Sequence, residues 1–196
     1  HLRTRRQRQM CIRDSRYPDS NGFYLKQALA AKHDVSADCI TLGNGSNDIL
    51  ELVASAYLER GDSAIYSEYG FVVYPLAIAR SGAKAKVAPA IHYGHDLRAM
   101  SALVDDTTKV IYIANPNNPT GTYVGLPEMQ LFLASVPATV LVVLDEAYVE
   151  YVDKEDYPDG LKLLASYNNL VVTRTFSKAY GTVSYTHLRA HETRPY

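Results

Sequence analysis

The stretch VVTRTFSKAYG, residues 171–181, joins a run of β-branched and apolar residues to a lysine and a glycine. Such a run favours a β-strand, and the strand LVVTRT is predicted to end at Thr175. Lys178 lies three positions after this strand end, where keeping an amine charged is costly if the amine is buried without a partner. A lysine in this place indicates a role beyond packing.

Upstream of this stretch, short apolar runs alternate with helical patterns. In DILELVASAYLERG, Ile49, Leu52 and Val53 recur at helical spacing, and Gly61 supplies a stop. The alternation is typical of an α/β domain with a largely parallel sheet. The predicted strands are CITL near Ile40, SAIYS near Ile65, AKAKVA near Lys86, KVIYIA ending at Ala114, TVLVVLD ending at Asp145 and LVVTRT ending at Thr175. The predicted helices cover residues 22–32, 48–61, 74–81, 126–134 and 160–166.

The composition describes one ordinary soluble domain with enough apolar material for a core. The chain has 196 residues, 47% of them hydrophobic, and a formal net charge of -1. This charge balance implies neither a nucleic acid nor an anionic membrane as partner. Cys11 and Cys39 are too few for a disulfide framework, and no apolar run is long enough to cross a bilayer. No cleavable signal stands at the start, so the cytoplasm is the expected location.

The two ends of the chain differ from its middle. Five of the twelve arginines lie in residues 1–15, and two lie in the last segment, while all eight lysines lie between. Neither end has the apolar period of a helix or strand. We therefore expect residues 1–15 and 182–196 to be non-native arms of adapter or cloning sequence, and residues 16–181 to be the native domain. The alternative is a basic arm that contacts nucleic acid.

Three of the predicted strands end in polar clusters. NPNNPTG follows KVIYIA, DEAY follows TVLVVL, and TFSK follows LVV. Asn118 and Asp145 are 27 positions apart, and Asp145 and Lys178 are 33 apart, each about one strand-helix-strand unit. Because parallel strands place their carboxyl ends along one edge, these three side chains could meet in one crevice.

Together, these motifs resemble the large domain of fold-type-I pyridoxal-phosphate enzymes, the class I/II aminotransferases. The resemblance covers residues 16–181, and RYPD, GNGSND, DEAY and TFSKAYG make it most similar to the histidinol-phosphate aminotransferases. It implies a three-layer α/β/α sandwich, incomplete at its C-terminus, that binds pyridoxal 5'-phosphate. It also implies a homodimer that moves an amino group between histidinol phosphate and 2-oxoglutarate in histidine biosynthesis.

The resemblance assigns catalytic roles at the three strand ends. Lys178 would attach to the cofactor's aldehyde and later move a proton between substrate and cofactor. Asp145 would pair with the protonated pyridine nitrogen, which compensates a carboxylate that is costly to bury alone. Tyr148 and Asn118 would both point at the ring's phenolic oxygen. No metal site is predicted, since only Glu146 accompanies Asp145 as a possible second ligand.

The cofactor's phosphate and ring need further contacts. GNGSND precedes the strongest predicted helix, so the backbone amides there form a candidate anion site at a helix start. By resemblance, two hydroxyls near the lysine also bind the phosphate, an aromatic residue in YGFVVY stacks on the ring, and a tyrosine in RYPD reaches the partner subunit's phosphate. The amides are those around Gly45, Ser46 and Asn47, and the hydroxyls belong to Thr175 and Ser177. The stacking residue is Phe71, with Tyr69 as a weaker candidate, and the tyrosine of RYPD is Tyr17.

The pattern breaks after Gly181. Related chains place a phosphate-binding arginine eight residues after the lysine, whereas this chain has Thr186, and Arg189 stands in an unrelated context. The small C-terminal domain that binds the substrate is also expected to be missing, so we expect a fragment with weak or no activity. Two alternatives share the scaffold, an aromatic amino-acid aminotransferase and a threonine-phosphate decarboxylase. A third is a non-catalytic α/β binding domain with a basic nucleic-acid-binding arm.

Overall fold

The computed structural model describes residues 21–181, which divide into two compact units between Leu42 and Gly43. The predicted arms, residues 1–15 and 182–196, lie outside this range, so the domain boundaries remain a prediction. In the first unit, α1 (Phe23–His33) is followed by a short 3-10 helix, Ala37–Cys39. The strand predicted near Ile40 is wrong. The Ser36 hydroxyl accepts a bond from the Asp38 amide at 3.4 Å and so favours a turn at this point.

A five-stranded parallel sheet forms the centre of the second unit, with the strand order β2 (Lys84–Ala88), β1 (Ser63–Ser67), β5 (Thr108–Ala114), β6 (Leu141–Asp145) and β7 (Leu170–Thr173). An antiparallel pair, β3 (Ala90–Ile91) and β4 (Gly94–His95), forms a separate small hairpin. The mostly parallel α/β sheet predicted from the alternating pattern is therefore confirmed.

Helices cover both faces of the sheet and complete three layers. On one face, α2 (Ser46–Tyr57) and α3 (Val73–Ser81) bury Leu50 and Ile78 against a core that includes Tyr112. On the other, α4 (Leu97–Ala102), α5 (Leu126–Ser135) and α6 (Gly160–Leu163) enclose a core that includes Ile111 and Met129. Successive residues of β5 thus enter opposite cores, as the pleat requires.

Some predicted helix ends differ from the observed ones. Helix α2 ends at Tyr57 rather than at the Gly61 stop, because Leu58 has an extended backbone. Helix α6 ends at Leu163, three residues before its predicted end. The sequence patterns predicted neither α4 nor the β3–β4 hairpin. No helix within residues 21–181 has both the length and the apolar character needed to span a bilayer.

The register of the sheet brings three strand ends together. Ala114 of β5 pairs with Asp145 of β6, and Asp145 pairs with Thr173 of β7. The NPNNPTG, DEAY and TFSK clusters therefore leave neighbouring strands at the same edge. This edge is where ligands bind in parallel α/β sheets.

Candidate active site

Asp145, the last residue of β6, is a buried carboxylate with neutral hydrogen-bond donors. Its side chain is 4% exposed, Tyr74 donates to Oδ2 at 3.1 Å, and the Thr173 hydroxyl donates to Oδ1 at 2.8 Å. Burial raises the pKa of the Asp145 carboxyl above its ordinary value, while these two bonds and the charge of Lys178 oppose the rise. Within residues 21–181 no cationic side chain forms an ion pair with it. The site therefore suits a ligand with a cationic group.

Tyr74 of α3 belongs to this site, although the sequence reasoning missed it. Its ring stacks on Tyr112 with centroids 4.9 Å apart, and Phe71 meets it edge-on at 5.9 Å. Burial raises the pKa of the Tyr74 phenol well above its ordinary value, so the hydroxyl stays protonated and donates to Asp145. The signal was present in YGFVVY, where Tyr74 lies three positions after Phe71.

Asn118, Tyr148 and Lys178 also meet at this edge. The Asn118 amide donates to the Tyr148 hydroxyl at 3.5 Å, and the Lys178 Nζ lies 5.6 Å from the centre of the Tyr148 ring. That distance is within the range of a cation–π contact. A cleft of about 500 Å³ includes Asn118 and Tyr148, and its other lining residues are Pro116, Asn117, Pro119, Gly121, Tyr123, Tyr151, Val152, Asp153 and Lys154. The peptide bonds before Pro116 and Pro119 are both cis.

The glycine-rich loop approaches the end of β7. Gly45 has a φ of 84° and directly precedes α2, whose first residue, Ser46, is buried, while Asn47 is exposed. A methyl group on Gly45 would lie 3.9 Å from the Thr175 Oγ1, and this oxygen lies 2.8 Å from the Ser177 Oγ. A helix N-terminus and two hydroxyls therefore occupy one region, which suits an anion.

The remaining predicted residues divide into three cases. Phe71 is half-buried beside Tyr74 and thus lies near Asp145. Tyr69 packs instead on Tyr93 of the β3–β4 hairpin, with ring centres 5.3 Å apart. Tyr17 lies outside the described residues.

Glu146 is a second buried acid, and it has a cationic partner. Its Oε2 accepts from Arg174 at 2.7 Å and 2.9 Å, and the residue is fully buried. Burial raises the pKa of the Glu146 carboxyl, and the Arg174 charge opposes that rise. Within the described part of the chain, no group of three His, Cys, Asp or Glu residues could hold a metal ion.

A parallel α/β sheet with a polar cluster at its carboxyl edge is typical of enzymes that bind a small ligand there. The family model of aminotransferase class I and II matches residues 3–185. The chain belongs to this aminotransferase family.

Individual relatives agree with this assignment. The chain is 60% identical over 167 residues to histidinol-phosphate aminotransferase 2 of Pseudomonas fluorescens strain Pf-5, an alignment that covers 85% of this chain and 45% of that protein. A crystal structure of histidinol-phosphate aminotransferase from Sinorhizobium meliloti in complex with pyridoxal-5'-phosphate is similar, with a TM-score of 0.83 and 31% identity over 90% of this chain and 48% of that one. L-threonine-O-3-phosphate decarboxylase from Porphyromonas gingivalis is also similar, with a TM-score of 0.74 and 25% identity over 90% of this chain and 50% of that one. The chain thus spans about half the length of its relatives.

Proposed function

We propose that the protein is a pyridoxal-phosphate-dependent transaminase that moves an amino group between histidinol phosphate and 2-oxoglutarate. The observation that carries the proposal is the meeting of Lys178, Asp145 and the Asn118–Tyr148 pair at one sheet edge. The 60% identity to a protein named histidinol-phosphate aminotransferase supports the substrate.

The residues present fit pyridoxal phosphate. Asp145 is buried among neutral donors, which leaves its charge available for a protonated ring nitrogen. The region of Gly45, Thr175 and Ser177 offers amides and hydroxyls for a phosphate. When bound, the cofactor supplies an electron sink for the carbanion that forms when the substrate loses its proton.

Each residue of the site has a separate task in this proposal. Asp145 would keep the ring nitrogen protonated, and Lys178 Nζ would hold the cofactor and move the substrate's proton. Tyr148 and Asn118 would bind the phenolic oxygen. The half-buried ring of Phe71 would stack on the flat cofactor. The backbone of Ser46 and Asn47 would join the hydroxyls of the phosphate site.

The partners follow from the same proposal. They are an amino donor, a 2-oxo acid and a second copy of the chain, to which Tyr17 would extend, and the expected location is the cytoplasm. The 196-residue chain aligns with only 45% of its Pseudomonas relative, so we expect weak or no turnover from it alone. Transfer of the amino group from histidinol phosphate at an ordinary enzymatic rate would contradict this expectation.

The central test compares Lys178→Ala with Lys154→Ala, a lysine that lines the cleft of Asn118 and Tyr148. Pyridoxal phosphate added to the wild-type chain should produce the visible absorbance of a lysine-bound cofactor. Lys178→Ala should abolish that absorbance, and Lys154→Ala should retain it. If the cofactor stays bound to Lys178→Ala with an unchanged spectrum, the proposed role of Lys178 is wrong.

A second candidate uses the same scaffold. The similarity to L-threonine-O-3-phosphate decarboxylase favours a phosphorylated amino acid as substrate, and the fold alone does not choose between the two. Assays of the protein at its full length with histidinol phosphate, aromatic amino acids and threonine phosphate would separate the candidates. Salt-sensitive nucleic-acid binding that is lost on removal of residues 1–15 would instead support a binding domain.

A further inference from the structure

The adjacent carboxylates of DEAY point to opposite faces of the sheet. Asp145 accepts from Tyr74, which packs in the core under α2 and α3. Glu146 accepts from the Gly160 amide at 2.8 Å, at the start of α6 on the other face. Glu146 is therefore turned away from the group of Asp145, Tyr148 and Lys178.

Glu146 lies at the centre of a buried polar network. Its Oε2 receives two bonds from Arg174, and Arg174 also donates to Asp159 at 2.8 Å. Its Oε1 accepts from the Gly160 amide. The Tyr157 hydroxyl donates its single proton to the backbone carbonyl of Asn115, and its oxygen lies 3.4 Å from the same Glu146 Oε1.

This network reaches every strand end that carries a predicted catalytic residue. Asn115 directly follows β5 and lies three residues before Asn118. Arg174 directly follows β7 and lies four residues before Lys178. Glu146 itself stands between Asp145 and Tyr148, so one carboxylate is linked to all three loops.

Gly160 approaches Glu146 too closely to carry a side chain. A methyl group on Gly160 would lie 2.8 Å from Glu146 Oε1 and 2.9 Å from Leu144 Cδ2. A buried ion pair of this kind adds little net stability, because desolvation offsets its attraction, yet losing one partner is costly. Its benefit is a defined geometry, which a catalytic site needs.

We propose that Glu146 is a positioning residue that fixes the relative places of the loops carrying Asn118, Tyr148 and Lys178. It acts through Arg174 and Tyr157 and touches neither substrate nor cofactor. The inference rests on the proposed function only where cofactor affinity is measured, because the positions of the loops can be measured without cofactor.

The first test compares Tyr157→Phe with the matched control Tyr167→Phe. Each variant loses one hydroxyl that donates to a backbone carbonyl, that of Asn115 for Tyr157 and that of Gln130, at 3.3 Å, for Tyr167. Tyr157→Phe should speed amide hydrogen exchange in residues 115–122 and weaken pyridoxal phosphate binding about tenfold. Tyr167→Phe should change neither quantity.

A second variant, Glu146→Gln, keeps an acceptor for the Gly160 amide but removes the charge that holds Arg174. It should speed exchange in residues 174–178 as well and weaken cofactor binding by at least as much. Both variants are measured well below their unfolding temperatures, where a purely structural role would not alter the folded protein.

The inference is overturned if both variants lower the unfolding temperature yet leave exchange in these loops and cofactor affinity at wild-type values. If Glu146→Gln does not fold, the comparison of Tyr157→Phe with Tyr167→Phe decides alone. If the wild-type chain binds no pyridoxal phosphate, the proposed function fails, while the exchange measurement still decides the role of Glu146.

Discussion

At the scale of single residues, Asp145 lowers the stability of the folded chain and favours the binding of a cationic group. A carboxylate that is 4% exposed and bonded only to neutral donors lowers the stability of the cofactor-free fold. The same unpaired charge would attract a cationic ring nitrogen. Residues of this kind are retained for what they bind rather than for the fold.

Replacing this residue by Asn should separate the two effects. The raised pKa of Asp145 means that the folded state binds the proton more tightly than the unfolded state does, so stability falls as pH rises from 3.8 through the folded pKa. At pH 7, Asp145→Asn should therefore raise the free energy of unfolding of the cofactor-free chain. It should also greatly weaken pyridoxal phosphate binding.

Chemical denaturation with and without pyridoxal phosphate measures both effects of Asp145→Asn. Asp153→Asn, an exposed acid in the cleft, is the control and should change neither value. An Asp145→Asn variant that is less stable without cofactor and binds it normally would contradict the interpretation.

At the scale of elements, the longer apolar runs were predicted, whereas helix α4 and the β3–β4 hairpin were missed. Strands β1, β5 and β6 coincide with apolar runs whose side chains are almost all buried. Helix α4 has six residues and the β3–β4 hairpin has strands of two, too short for a periodic signal. Such elements depend on local caps and on the core they cover.

The N-cap of α4 should contribute measurably to the free energy of unfolding. The Asp96 side chain accepts a hydrogen bond from the Ala99 amide at 2.9 Å, and Leu97 and Met100 then enter the core. Asp96→Ala should lower the free energy of unfolding by about 1 kcal/mol, because a helix amide loses its partner. Asp96→Asn retains an acceptor and should lose much less. Urea denaturation of both variants would show whether they differ as the cap requires.

At the scale of the whole molecule, a buried histidine makes stability depend on pH. His95 of β4 is 7% exposed and bonds through Nε2 to the Ala114 carbonyl at 2.8 Å, which ties the hairpin to the end of β5. Burial lowers the pKa of His95 below its ordinary value, and the bond to Ala114 opposes this only partly. The folded state therefore resists protonation at this position.

The sign of the pH effect follows from that shift. Between 6.5 and the lower folded pKa of His95, the unfolded chain binds the proton more readily, so stability is lost as pH falls through this range. The raised pKa values of Asp145 and Glu146 act in the opposite direction. His95→Gln should thus lose less stability than the wild type when the pH falls from about 7 to about 5.

Denaturation curves at several pH values measure this difference. His92→Gln, on the exposed turn of the hairpin, is the matched control and should keep the wild-type dependence on pH. Parallel curves for His95→Gln and the wild type would rule out His95 as the source.

The sequence by itself determined the α/β alternation, the main strands, and the three strand ends where Asn118, Asp145 and Lys178 stand. These features are local, because apolar runs and turn residues are read within a few positions. Only the tertiary structure decided the partners: Tyr74 lies 71 positions from Asp145, and Arg174 lies 28 from Glu146. Such contacts depend on strand order, register and the face each side chain enters, and these are set when the sheet packs against its helices.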